Sequence, residues 1–413
     1  MSVSTKQRIL VLATVFGLAA GTPHLCVAGS DAVKRPTRVV FTAGELAAAR
    51  PAGLTNKVRI AGDDAKAFQA LIDAAPAAVN PWLVLSGGGE NGAFAAGLLT
   101  GWSAAGNRPA FGVVTGVSTG ALIAPFAFVG ADAALREAYT TISAADVFEF
   151  GGSDEALTDT WPLKRRIDKA VTPGLLKAIA AEHAKGRRLL VATTELDSER
   201  PVLWNMGAIA TIGTDKALGL FRSIVLASAA VPGIFPPVSI DATATDGTTR
   251  RDKPIQEMHA DGGTTAPFYL APKAALTGAA AVRIPARTVY LVVNNTAAAS
   301  FQMATHTTLS VLGRAMSAAI KAQTQDALAL AGAFARRETI DLKVAEIDGR
   351  FTKDAPGPFD QRYMQALFAH AEGLARTGTA FGAPDAMARD RRNVPTRSFG
   401  AAHPDASKTF AGR

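Results

Sequence analysis

The chain has 413 residues, 48% of them apolar, and 43 Lys and Arg against 35 Asp and Glu give a formal net charge of +8. That apolar share supports a large core and excludes a disordered chain. The basic residues are scattered, and neither zinc-finger spacing nor an aromatic-interleaved basic stripe occurs, so no nucleic acid partner is expected; the charge implies solubility and weak attraction to anionic lipid.

Residues 1–28 have the pattern of an export signal. Lys6 and Arg8 lead into the apolar run Ile9 to Ala20, which is too short to span a bilayer, and Cys26-Val27-Ala28 suits cleavage after Ala28. The expected destination is the periplasm or the medium. Cleavage there removes the only cysteine, Cys26, and with it any disulfide or thiol chemistry. Lipidation of Cys26 ranks second, because Pro23-His24-Leu25 fits a lipobox poorly.

Residues 29–78 form a lead-in that is expected to pack on the edge of a core spanning 79–300. A short helix near Phe41 to Glu45 ends before Pro51, and Asp63 or Asp64 caps another that carries Phe68, Leu71 and Ile72 on one face. No chemistry is legible in this stretch.

Trp82 to Ser86 is a buried strand by composition, followed by Gly87-Gly88-Gly89-Glu90-Asn91-Gly92 and a helix over Ala95 to Trp102. The glycines match the G-x-G-x-x-G of dinucleotide sites, but no Asp or Glu for the ribose occurs between Gly92 and Asp132. No Lys-Ser/Thr follows them, so a Walker loop is excluded. What remains is an anion cradle, in which successive N–H groups aim at one point near a helix N-terminus.

Val113 to Gly116 is a second apolar strand, and Gly116-Val117-Ser118-Thr119-Gly120 has the form G-x-S-x-G. Such a serine sits on a strained strand-to-helix corner, and Ser118 is expected to stand clear of the sheet above the positive end of the next helix. That helix runs to about Val129, with Pro125 kinking it or setting its first turns. Residues 131–188 look helical, with breaks at Gly151-Gly152-Ser153 and Pro173-Gly174. Leu189 to Thr194 and Val202 to Asn205 are strands, and Ser223 to Ala230 is a small-residue helix. A hairpin is expected at Asp246-Gly247, and the strand Ile255 to Ala260 returns from it to Asp261-Gly262-Gly263. Asp261 thus occupies a strand's carboxyl end, the edge where open α/β sheets assemble their sites.

A histidine base has no clear candidate among His183, His259, His306, His370 and His403. His259 shares a strand face with Asp261 and would support it from behind, or else serve only as a satisfied strand histidine.

Beyond the core, residues 301–383 look structural. Arg287 to Asn294 is a strand, and Leu309, Leu312, Met316 and Ile320 are spaced for one face of a long helix. Ile340 to Ile347 alternates like an edge strand. Asp360 caps a last helix with Met364, Leu367, Ala371 and Leu374, stopped by Gly378, and 384–413 is a polar tail. No repeat or metal-ligand cluster occurs, and no metal or cofactor is expected.

The order G-G-G-x-x-G, G-x-S-x-G, D-G-G resembles the patatin-like phospholipase family over roughly residues 80 to 300, and Ala227 to Pro237 resembles a family segment before the aspartate. The resemblance implies a three-layer α/β/α fold with a mostly parallel central sheet. It implies a carboxylic ester hydrolase of phospholipase A or lysophospholipase type, with Ser118 as nucleophile and Asp261 as its dyad base. Gly87, Gly88 and Gly89 carry over as oxyanion donors, and Gly92, Gly116, Gly120, Gly262 and Gly263 as motif glycines. The implied substrate is a lipid ester at a membrane or micelle surface, with peripheral membrane contact. Many members have Arg or Lys where Asn91 stands, a departure that bears on headgroup preference. The competing expectations are an inactive lipid-binding or surface interaction protein on the same fold and, less favoured, a nucleotide-dependent oxidoreductase.

Overall fold

The computed structural model describes residues 38–54, 58–153, 155–245, 252–298, 303–304, 306–355 and 357–384. The expected export signal with Cys26, the Asp246-Gly247 hairpin tip and the tail beyond Pro384 lie outside the described residues. The unit from Val39 onward is the one described below.

Its helices are α1 (Ala43–Ala48), α2 (Ala65–Asp73), α3 (Gly92–Ala104), α4 (Thr119–Val129), α5 (Ala133–Thr140), α6 (Trp161–Ala170), α7 (Pro173–Ala184), α8 (Met206–Ala210), α9 (Asp215–Ser228), α10 (Lys273–Leu276), α11 (Thr308–Arg337) and α12 (Gln361–Arg376). Its strands are β1 (Arg50–Pro51), β2 (Arg59–Ala61), β3 (Trp82–Leu85), β4 (Val113–Gly116), β5 (Glu149–Ser153), β6 (Ala156–Asp159), β7 (Arg188–Glu195), β8 (Arg200–Asn205), β9 (Val238–Thr245), β10 (Asp252–Asp261), β11 (Thr288–Val293) and β12 (Asp341–Glu346).

The central sheet has the order β1-β9-β10-β7-β4-β3-β11-β12, with β8 and β2 added at β7. β7, β4, β3, β11 and β12 run parallel, and the remaining pairings are antiparallel. Parallel strands covered on both faces need apolar residues at every position, which is why β3 reads WLVL without alternation. The period of two still sorts them. Leu83, Leu85 and Val114 face the core under α3, α4 and α12, whereas Trp82, Val84 and Val113 face the core shared with α2 and α11. Helices on both faces make this a three-layer α/β/α fold with a mostly parallel centre.

Three sequence expectations change. Gly151 to Ser153 does interrupt the helices, but as part of β5, paired with β6 in a two-stranded hairpin that was not expected. Pro173-Gly174 opens α7 behind a Thr172 cap, since proline suits the first helical turn. The apolar face of α11 is not buried where it was expected. Leu312 and Ile320 are 38% and 40% exposed, and Thr324 is the first buried position among its described residues. The Leu309 side chain lies outside the described residues.

One feature of the sheet positions the site. β8 runs along one edge of β7 over Leu190 to Glu195. The other edge is shared end to end: β4 pairs with Arg188 to Val191, and β10 pairs antiparallel with Thr193 to Glu195. The two strands therefore run toward each other and stop on either side of Ala192. The chain turns away at Gly116 from one direction and at Asp261 from the other, and residues distant in sequence meet there.

Candidate active site

Ser118 follows β4 with φ 55° and ψ −125°, a conformation that costs a non-glycine residue of order 1–3 kcal/mol and persists only where its surroundings impose it. Those surroundings are tight. A Cβ on Gly116 would come within 2.5 Å of the Gly120 carbonyl oxygen, and one on Gly120 within 2.5 Å of the Leu85 carbonyl oxygen. The Ser118 N–H donates to Ser228 Oγ at 3.0 Å, and the Ser228 hydroxyl donates to the Ala192 carbonyl at 2.7 Å. A serine before a helix ordinarily caps it with its hydroxyl; Ser118 makes no such bond to α4, so the hydroxyl stays available. It does not stand clear of the sheet as expected. Ser118 is only 7% exposed, because the glycine turn closes over it: a Cβ on Gly87 would lie 3.1 Å from Ser118 Cβ.

Asp261 ends β10, and its N–H donates to the Ala230 carbonyl at 2.8 Å. Its Oδ1 accepts the Gly263 N–H at 2.6 Å, while the buried Oδ2 closes no hydrogen bond of full geometry. Burial pushes this carboxyl up to about 6; the Ser118 hydroxyl, near enough to act as a donor to it, and the Gly263 N–H pull the other way. Gly262 must be glycine because a Cβ there would lie 2.4 Å from the Ala192 carbonyl oxygen. The carboxyl-end expectation holds with a different cause. β10 is antiparallel to β7, so Asp261 reaches the site edge by a strand that arrives from beyond it.

The glycine turn supplies free amides, though not all three that were expected. The Gly87 N–H donates to the Pro267 carbonyl at 2.9 Å and is spent. Neither the Gly88 nor the Gly89 N–H donates to an acceptor among the described residues. The Thr119 N–H, the first of α4, is likewise uncommitted there. Thr119 was missed from sequence, although the residue after an elbow nucleophile is a usual oxyanion donor. Gly88 packs so closely that a Cβ would sit 1.8 Å from the Asn294 carbonyl oxygen, and Gly89 has φ 57°.

Residues 83–271 match the family model described as patatin-like phospholipase, a span that takes in all these motifs from Gly87 to Gly263. The chain carries a patatin-like phospholipase domain. That domain supports a relation to lipid acyl hydrolases. No curated protein matches the sequence. Among solved structures it is similar to VipD from Legionella pneumophila, at 12% identity over 73% of this chain and 67% of that one, with a TM-score of 0.38; so low a score adds nothing to the assignment.

The patatin-like domain fixes its glycine turn from two sides. Asn294, at the end of β11, donates from its amide to the Ser86 carbonyl at 2.9 Å and accepts the Ala95 N–H at 3.1 Å. Its role was not visible in the run RTVYLVVN. From the other side, the Glu90 carboxylate accepts the Phe359 N–H, and Asn91 Oδ1 accepts the Tyr363 hydroxyl at 2.7 Å. Burial raises the Glu90 pKa, the Phe359 N–H lowers it and Asp360 adds to the rise. Asn91, the departure from the family pattern, is thus tied to α12. Gly92 has no room for a side chain because Thr119 Oγ1 would lie 2.2 Å from its Cβ. Beyond the turn, Phe148 packs edge-on or tilted against Phe150, Phe235 and Phe359 at ring-centroid distances of 5.4, 6.2 and 6.1 Å.

No described histidine is bonded to Ser118 or Asp261. His259 is fully buried, with Nδ1 3.0 Å from Thr193 Oγ1 and Nε2 3.0 Å from Glu257 Oε2, and is a satisfied strand histidine. Arg59, from the lead-in, pairs with Glu257 and lies over the Trp204 ring at 5.0 Å. The lead-in therefore contributes a buried ion pair, not just packing. A cavity of about 260 Å³ is lined by Pro232, Phe235, Met258 and Ala260. Met258 and Ala260 alternate away from Asp261 on β10, so this cavity is separate from the site.

Proposed function

We propose that this protein is an exported lipid acyl hydrolase in which Ser118 is the nucleophile and Asp261 the general base. The observation that carries the proposal is a strained, uncapped serine sharing a buried site with a carboxyl that burial pushes up to about 6 and with amides of Gly88, Gly89 and Thr119 that are uncommitted among the described residues. Ser118 Oγ forms the bond to the ester carbonyl carbon as its proton passes to Asp261 Oδ2, and the carbonyl π pair moves onto oxygen. The amides hold that oxyanion, each such donor being worth about 3 kcal/mol in acyl transfer. The C–O bond to the alcohol breaks, with Asp261 returning the proton to the leaving oxygen. Water then repeats the sequence on the acyl-enzyme and releases the acid.

Raising the base is what lets an aspartate act, because a carboxylate near 4 accepts a hydroxyl proton poorly. The Phe148, Phe150 and Phe359 rings, the last on the residue whose N–H binds Glu90, offer an apolar patch suited to an acyl chain. Export rests on the pattern of the first 28 residues. A fluorophosphonate probe tests the proposal: it should label Ser118, and Ser118→Ala should lose both the label and phospholipid hydrolysis while its circular dichroism is unchanged. An unlabelled Ser118 in folded protein would instead favour a non-catalytic lipid-binding role.

A further inference from the structure

We infer that the first half of α11 is an interfacial docking helix that seats the site edge of the sheet on an anionic lipid surface. The inference rests on the proposal that Ser118 cuts lipid esters and adds where the protein meets them. Three observations carry it. The first is reach. Gln325 Nε2 donates to the Ala297 carbonyl, just past the carboxyl end of β11, and Asp341, beyond the far end of the helix, donates to the Arg287 carbonyl at the start of that strand. The stretch from Gln325 to Arg337 thus covers the sheet. The residues from Thr308 to Thr324 project beyond its edge by about 25 Å at 1.5 Å per residue. This is the edge where Asn294 packs on Gly88.

The second observation is the surface of that projection. Val311, Leu312 and Ile320 are 56%, 38% and 40% exposed, and Ala315, Ala318, Ala319 and Ala322 are exposed beside them. At 100° per residue these fall with Met316 on one wide arc, while Ser310, Arg314, Ser317 and Lys321 share the opposite stripe. A broad apolar arc backed by cationic residues is the pattern of a helix that lies in a membrane interface. No described helix is long and apolar enough to cross a membrane.

The third is charge. No acidic residue occurs from Thr308 to Gln325, whereas Arg314 and Lys321 lie within mutual influence. Their field suits lipid phosphates and not an acidic-poor apolar groove or a second copy of the same cationic helix.

The test uses the full chain bearing Ser118→Ala, sedimented with vesicles of phosphatidylcholine with or without phosphatidylglycerol. It should bind the mixed vesicles more tightly, and less so as salt rises. Val311→Glu/Leu312→Glu/Ile320→Glu should weaken that binding by about tenfold or more, and Arg314→Glu/Lys321→Glu should remove the preference for phosphatidylglycerol. Val311, Leu312 and Ile320 are exposed, so the thermal unfolding of the triple variant should match the parent. With Ser118 restored, the triple variant should hydrolyse a water-soluble short-chain ester at the parental rate and vesicle phospholipid about tenfold more slowly. Undiminished vesicle binding by the triple variant overturns the inference. So does a parent dimer that the triple variant splits without change in vesicle binding, or a full chain that binds neither vesicle. Vesicle binding that the triple variant loses, in a protein that hydrolyses neither ester, upholds the docking helix and removes the Ser118 proposal alone.

Discussion

Replacing Asp261 by Asn should inactivate the protein and stabilise it, with a pH dependence fixed in advance. Folded, the carboxyl keeps its proton to about pH 6; unfolded, it loses it near the ordinary 3.8. Between those values the folded chain binds more protons than the unfolded chain, so stability falls as pH rises, by up to about 1.4 kcal/mol per pH unit. Above pH 6 the accumulated cost of keeping the carboxylate buried is about 3 kcal/mol, an upper figure that relaxation of the site would reduce. Asn does not ionise, and its side-chain oxygen can still accept the Gly263 N–H that Asp261 Oδ1 accepts at 2.6 Å. Urea unfolding of the parent and Asp261→Asn at pH 8 and pH 4.5 should show the variant ahead at pH 8 by up to about 3 kcal/mol, with most of the gap closed at pH 4.5. A gap of the same size at both pH values, or a variant less stable at pH 8, would refute a buried, charge-penalised Asp261. Retained hydrolysis in the variant would refute its role as base.

The same carboxyl sets the rate profile: kcat/KM should rise with pH through about 6 and level off above it, as measured on a soluble ester between pH 4.5 and 8. Ser228→Ala should leave the Ser118 N–H and the Ala192 carbonyl without their partner, at about 1–3 kcal/mol for each buried group. Its kcat should fall with little change in KM, since Ser228 positions the nucleophile and touches no substrate. Gly88→Ala forces a Cβ to within 1.8 Å of the Asn294 carbonyl oxygen; it should abolish hydrolysis and cost roughly 1–3 kcal/mol or more, as read by thermal unfolding.

The strands β3, β4, β7 and β11 were legible because parallel strands buried on both faces leave apolar runs between glycine or charged turns, and β12, at the end of the sheet order, was legible from the alternation of an edge strand. The G-x-S-x-G corner was legible for a similar reason: each glycine answers a carbonyl packed against it. What the sequence concealed were relations between distant segments. Nothing local to Gly87 says that the Pro267 carbonyl will take its N–H, and nothing local to Ser228 says that its hydroxyl will hold the backbone of Ser118. The reach of α11 was hidden likewise. Its apolar spacing is the same whether the face meets a sheet or extends past one, and only the length of β11 decides which.

The clearest consequence of these distant contacts is the divergence of two carboxylates on one face of β10. Glu257, His259 and Asp261 alternate onto the same side of the strand. Burial would raise the Glu257 pKa, but hydrogen bonds from Arg59 and His259 outweigh it and hold the carboxyl down at about 2. Asp261 is equally buried, has no ion pair among the described residues, and is pushed up to about 6. Were Arg59 seated on Asp261 instead, its charge would stabilise the carboxylate and weaken it as a base by the same physics that acts on Glu257. The lead-in strand β2 delivers that cation four residues short of the site, and His259 turns its ring to Glu257 and Thr193 rather than to Asp261. With the nearby cation and imidazole both committed to Glu257, burial dominates the proton affinity of Asp261, opposed by the Ser118 hydroxyl and the Gly263 N–H. That brings it within reach of an ordinary imidazole near 6.5, the property the proposed pairing of Ser118 with Asp261 requires of its base.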